Sequence, residues 1–93
     1  MALYLISYDE HNERDYSRCY DLMKKWSAQK LLESLWLANL RGPAEVVRDI
    51  VLGTFDHDAS VAVIELEPTA EWATVRCQEA GVNWLWQHIP FRV

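Results

Sequence analysis

An α+β sandwich, with two helices packed on one face of an antiparallel sheet, is the fold class that this 93-residue sequence predicts. Three observations carry the prediction. A near-continuous apolar run, Ala2-Leu3-Tyr4-Leu5-Ile6-Ser7-Tyr8, opens the chain. Two stretches, around 16–26 and 46–51, repeat their apolar residues at steps of three and four, the helical period. A later segment, Ser60-Val61-Ala62-Val63-Ile64-Glu65-Leu66, alternates with the period of a strand.

The opening run is too short for a typical helix and rich in aromatic and branched residues. It suits a strand covered on both faces, hence a central one. Asp9-Glu10-His11-Asn12 closes it. From Asp15 to Gln29, residues Tyr16, Cys19, Tyr20, Met23 and Trp26 share one helical face, with acidic groups before the helix and lysines at its end. That polarity complements a helix dipole. Lys30 to Leu40 holds no Gly or Pro and reads as one bent strand or as two joined by a tight turn near Ser34. Leu31, Glu33, Leu35, Leu37 and Asn39 would then share one face.

Gly42-Pro43 opens a second helix, over about 43–52, with Pro at a favourable first position and Gly53 as its stop. Its β-branched residues Val46, Val47, Ile50 and Val51 lower helix propensity, so packing must hold it. Residues 60–66 form the next strand, ended by Pro68. Residues 71–77 read as an edge strand or the start of a helix. Val82, Leu85, Trp86 and Ile89 recur at helical spacing and predict a short C-terminal helix, with Gly81 weakening its first turn.

The order β-α-β-β-α-β is the ferredoxin-like arrangement, here one domain spanning 1–93 with an added C-terminal segment or helix. Right-handed crossovers place both helices on the same face of the sheet. The other face needs a cover, which the C-terminal segment or a second subunit can supply.

The chain is 51% hydrophobic, with five Trp, four Tyr and two Phe, which excludes disorder. A domain of this size has a modest core, and the surplus of apolar residues predicts an oligomer. The net charge of −5, with Lys24-Lys25 and nearby Lys30 as its longest basic cluster, disfavours tight, non-specific nucleic-acid binding. Cys19 and Cys77 lie far apart, outside any CxxC or Cys/His spacing, and read as buried thiols of a reducing compartment. No signal-peptide pattern precedes Tyr4 and no apolar run is long enough to span a bilayer, so the expected location is the cytoplasm, with no membrane partner.

Asp9 is the leading candidate for chemistry, a carboxylate at the carboxyl end of a central strand. Mg²⁺ takes one or two carboxylates and retains several waters. One Asp per subunit, doubled across a two-fold axis, could hold such an ion and activate water for phosphodiester cleavage. The plainer reading is an Asp that opens a loop or caps the next helix. His11 stands nearby as a second ligand or general base, or as a solvated loop histidine. Asp56-His57-Asp58 has the composition of a ligand triplet without the spacing of a known metal motif. Ser7 and Ser34 could both face the Asp9 region, with no base paired to either. The five Trp suit stacking on bases, or a core or interface.

The segment Tyr4-Leu5-Ile6-Ser7-Tyr8-Asp9 resembles the first strand and terminal aspartate of the CRISPR-associated Cas2 proteins. Leu32-Glu33-Ser34-Leu35-Trp36-Leu37 resembles their second-strand pattern, and Asp58-Ala59-Ser60-Val61-Ala62-Val63 their entry to the fourth strand. Together these cover roughly residues 3 to 66. The short, Cas2-like proteins labelled SinR family are similar in their Tyr-Leu-Ile-Ser-Tyr-Asp start, a Tyr at Tyr16, Ser-x-Trp at Ser34/Trp36 and a Trp-rich C-terminal helix like that around Trp84. The resemblance implies a ferredoxin-like homodimer. It implies further that Asp9 would be the catalytic and Mg²⁺-binding residue of an endonuclease acting on RNA or DNA, or would be dispensable in a structural dimer that holds DNA. Where Cas2 proteins usually carry basic residues after the aspartate, this chain has Glu10, His11 and Glu13, and Arg14 and Arg18 are its nearest cations. The expected function is therefore a Cas2-like dimer with weak or absent nuclease activity. The alternative is a non-catalytic homodimeric adaptor that binds another protein through its sheet face and C-terminal segment.

Overall fold

In a computed structural model describing residues 1–10, 15–55 and 58–90, the opening run forms β1 (Ala2–Asp9). There follow α1 (Ser17–Lys25), β2 (Gln29–Leu32), β3 (Leu35–Leu40), α2 (Ala44–Leu52), β4 (Ser60–Leu66) and α3 (Glu79–His88). The four strands make one sheet of order β2-β3-β1-β4, in which every neighbouring pair is antiparallel. Strand β1 is central, as its unbroken apolar character predicts. In the register, Leu5 lies between Leu37 and Ile64, and Ile6 between Trp36 and Val63.

Alternation along β1 divides the core in two, because successive side chains leave a strand on opposite faces. Tyr4, Ile6 and Tyr8 are buried with Cys19 and Met23 of α1 and with Val47 and Val51 of α2. Both crossover helices therefore share one face. Leu3 and Leu37 are buried on the other face, against Trp84, Leu85 and Ile89. The C-terminal helix is thus the cover that this second face needs. It packs mainly on β2 and more lightly on β3; towards β4, Leu5 and Leu66 share the cluster with Ala70 and Trp72 of the segment that follows β4. Ile64 of β4 is 54% exposed.

Helix α3 lies close to β2 because residue 81 is Gly. A Cβ at that position would stand 2.6 Å from Leu31 Cα and 2.7 Å from Lys30 O. The Gln78 N–H, just before the helix, donates to Leu31 O at 3.0 Å. Gly81 does cost helix propensity, and the gain is a helix backbone resting directly on a strand backbone.

The first helix is shorter than the predicted 15–29, for reasons visible at both ends. Asp15 precedes it and accepts hydrogen bonds from the Ser17 N–H (3.0 Å) and hydroxyl (2.7 Å). At the far end Ser27 adopts φ 56°. Its N–H donates to Lys24 O and the Ala28 N–H to Met23 O, the paired bonds of a left-handed helix stop. Glycine is the usual occupant of such a position because it has no Cβ to clash.

Residues 30–40 resolve into the two-strand alternative, with a turn at Glu33-Ser34. Helix α2 begins one residue after Pro43, which occupies its N-cap. Residues 71–77 are neither of the predicted forms but an irregular strap. Trp72 ties this strap to α3: its indole N–H donates to Ile89 O at 2.5 Å and its ring meets Trp86 edge-on at 5.0 Å. Cys19 is buried and Cys77 half-buried, both as free thiols. Among the described residues no helix is long and apolar enough to cross a membrane.

Candidate functional site

Asp9 is the last residue of β1 and pairs with Ser60 at the start of β4. It is exposed, whereas Glu10 after it is buried at 7% exposure. With Ser7, Tyr8, Ser60, Val61 and Ala62 it lines a shallow hollow of about 170 Å³ at the β1–β4 end of the sheet. Ser7 pairs with Ala62 in the same register, so Ser7 and Asp9 share a face two residues apart. The Ser34 carbonyl accepts the Tyr8 N–H at 3.2 Å, so the β2–β3 turn lies at this end too, through its backbone.

The described part of the hollow supplies one carboxylate and neutral neighbours. Among the described residues no group of three or more His, Cys, Asp and Glu is gathered to hold a metal. A hard cation such as Mg²⁺ attached through Asp9 would keep most of its waters or take a further carboxylate from a second subunit. His11, Arg14, Asp56 and His57 lie outside the described residues; Asp58 is exposed.

The groups beneath the hollow belong to the core. Tyr8 is buried against Tyr16 and Phe55, with ring centroids 5.5 and 5.1 Å away, and its hydroxyl accepts the Trp36 indole N–H at 2.9 Å. Burial pushes the pKa of Tyr8 far above the ordinary tyrosine range, and the opposing Trp36 hydrogen bond does not offset it. Tyr8 therefore stays a neutral phenol and makes a poor base. Burial likewise pushes the Cys19 thiol up, which disfavours the thiolate a nucleophile requires.

The basic cluster read from the sequence also divides. Lys30 donates to the Tyr20 hydroxyl at 3.0 Å, and that bond is the main cause that holds its pKa above the ordinary lysine value. It sits 4.7 Å from the Tyr20 ring centroid and 3.6 Å from the Glu33 carboxylate. These contacts occupy Lys30 within the fold, while Lys24 and Lys25 remain exposed at the end of α1.

Most of the tryptophans are structural. Trp36 and Trp26 pack against the first core cluster, and Trp84 and Trp72 belong to the second. Trp86 is 52% exposed beside Trp72. Sequence reasoning did not single out a larger, polar crevice between α3 and the sheet. Its one legible signal was Asn39, an amide inside an otherwise apolar strand. No protein-family model, curated protein or solved structure matches the chain.

Proposed function

We propose that this chain is a Cas2-like protein of ferredoxin-like fold that works as a homodimeric binding scaffold, with metal-dependent cleavage at Asp9 weak or absent. Support for the fold reading comes from the β2-β3-β1-β4 order, the antiparallel neighbours and the two crossover helices on one face. The observation that carries the functional reading is the β4 rim. This seven-residue strand presents exposed Ile64 beside half-buried Leu5 and Leu66. A rim strand with adjacent apolar surface is suited to pairing with another strand.

Two-fold pairing of β4 with the partner's β4, centred on Val63, separates the two Asp9 carboxylates. Asp9 neighbours Ser60 at one end of the strand, so the separation is roughly 20 Å at about 3.4 Å per residue. One cation cannot bridge that distance. A protein is favoured over nucleic acid as the molecule held, because the net charge is −5 and Lys30 is held within the fold.

The test is cleavage of single-stranded RNA and of duplex DNA in Mg²⁺ or Mn²⁺, by wild type and Asp9→Ala. The expected outcome is little or no cleavage and no difference between the two proteins. Robust cleavage abolished by Asp9→Ala would instead establish a nuclease with Asp9 at its centre.

A further inference from the structure

A crevice of about 490 Å³ lies between α3, the sheet and the turn after α1. That volume is within the range of small-molecule sites. Its lining combines two chemistries. Four side-chain amides contribute, Gln29 and Asn39 from the sheet and Asn83 and Gln87 from α3. Trp26, Trp84 and His88 supply the flat walls. No Asp, Glu, Lys or Arg is among the described residues that line it.

Asn39 is the sharpest feature. Its Oδ1 is shut off from solvent and has no hydrogen-bond partner among the described residues. A buried acceptor in that state is costly, and a small shift of the crevice wall that brings a ligand donor to it would relieve that cost. The aromatic wall is ordered as well. The Trp84 and His88 rings stack with centroids 4.3 Å apart and planes 27° apart. His88 Nδ1 lies 3.0 Å from Trp84 O. A carbonyl can only accept, so Nδ1 carries the proton, and in the neutral ring Nε2 remains an acceptor. Ser27, the residue held at φ 56°, lines the same crevice.

From these features we infer a binding site for an uncharged nucleobase or nucleoside. Each amide offers both donor and acceptor, as do the edges of a base, and aromatic rings stack on its faces. The uncharged lining has no cation to meet a phosphate, which separates this ligand from a nucleotide. The crevice adjoins β2, at the opposite rim of the sheet from β4, so this inference is independent of the dimer proposed above.

The test is an NMR titration of the ¹⁵N-labelled full chain with adenosine, guanosine, cytidine and uridine, using glucose and inorganic phosphate as comparators. At least one nucleoside should saturably shift the side-chain amides of Asn39, Asn83 and Gln87 and the Trp26 and Trp84 indoles below about 5 mM. Asn39→Leu removes the orphaned acceptor, so it should keep or raise the melting temperature while weakening binding about tenfold or more. Asn83→Ala, on the exposed side of the crevice, should weaken binding with the fold intact. No saturable shift with any nucleoside, saturation by glucose or phosphate alone, or undiminished binding by both variants would overturn the site.

Discussion

Gly81→Ala should destabilise the protein by about 2 kcal/mol, the middle of the range for overpacking a tight contact. Helix propensity alone gives the opposite sign, a gain of about 1 kcal/mol for Ala over Gly inside a helix. The close approach to β2 decides between them. The added Cβ would meet Leu31 Cα and Lys30 O at 2.6 and 2.7 Å. These are backbone atoms of a paired strand, so no side chain can swing away to make room. The methyl group must push α3 off the sheet, loosening the Gln78–Leu31 hydrogen bond and the Trp84 and Leu85 contacts. Urea denaturation reads the effect, and a midpoint above that of wild type would refute the described α3–β2 contact.

Trp84→Ala should cost still more, about 3–5 kcal/mol, because the lost burial leaves a cavity that the second cluster only partly refills. Trp84 is 5% exposed, packs in one cluster with Leu3, Leu37, Leu85 and Ile89, and stacks on His88. Native domains have only about 5–15 kcal/mol of stability in total, so this substitution threatens folding at ambient temperature. Trp86→Ala, two residues away, is the internal control. Its side chain is 52% exposed and meets Trp72 edge-on, a contact worth about 1 kcal/mol. Equal losses for the two variants would show that α3 does not cover the sheet as described.

The strands and helices were legible wherever one periodicity ruled a segment. Strand β1 read as central because apolar side chains occupy both of its faces, and β4 was bounded by its alternation and Pro68. The face of α1 was equally clear: Tyr16, Cys19, Tyr20, Met23 and Trp26 all pack in the first cluster. Its end was not, because the stop is a Ser in left-handed conformation and sequence patterns lead one to look there for Gly. Gly81 read as a weak point in a helix, since a close approach to β2 depends on tertiary contact that periodicity does not encode. Residues 71–77 defied either reading because their order comes from the Trp72 anchor.

The candidate site was less legible. Asp9 could be placed at the end of β1, but the neutral character of its described neighbours in the hollow, Ser7, Tyr8, Ser60, Val61 and Ala62, emerges only from the β1–β4 register. The crevice around Asn39 is assembled from the turn after α1, β2, β3 and α3, residues whose spacing in the chain suggests no grouping. Lys30 illustrates the reverse case, a charge counted with a basic cluster and then occupied by Tyr20 and Glu33.

The proposed scaffold depends above all on association through the β4 rim. Its most direct test is the solution mass at micromolar concentration, by sedimentation or light scattering, of wild type and Ile64→Lys. The expected result is a wild-type species of twice the 10.9 kDa chain mass and a folded monomer for Ile64→Lys, since a charge there must be desolvated on pairing. A wild-type monomer, or a dimer untouched by the lysine, would contradict the account.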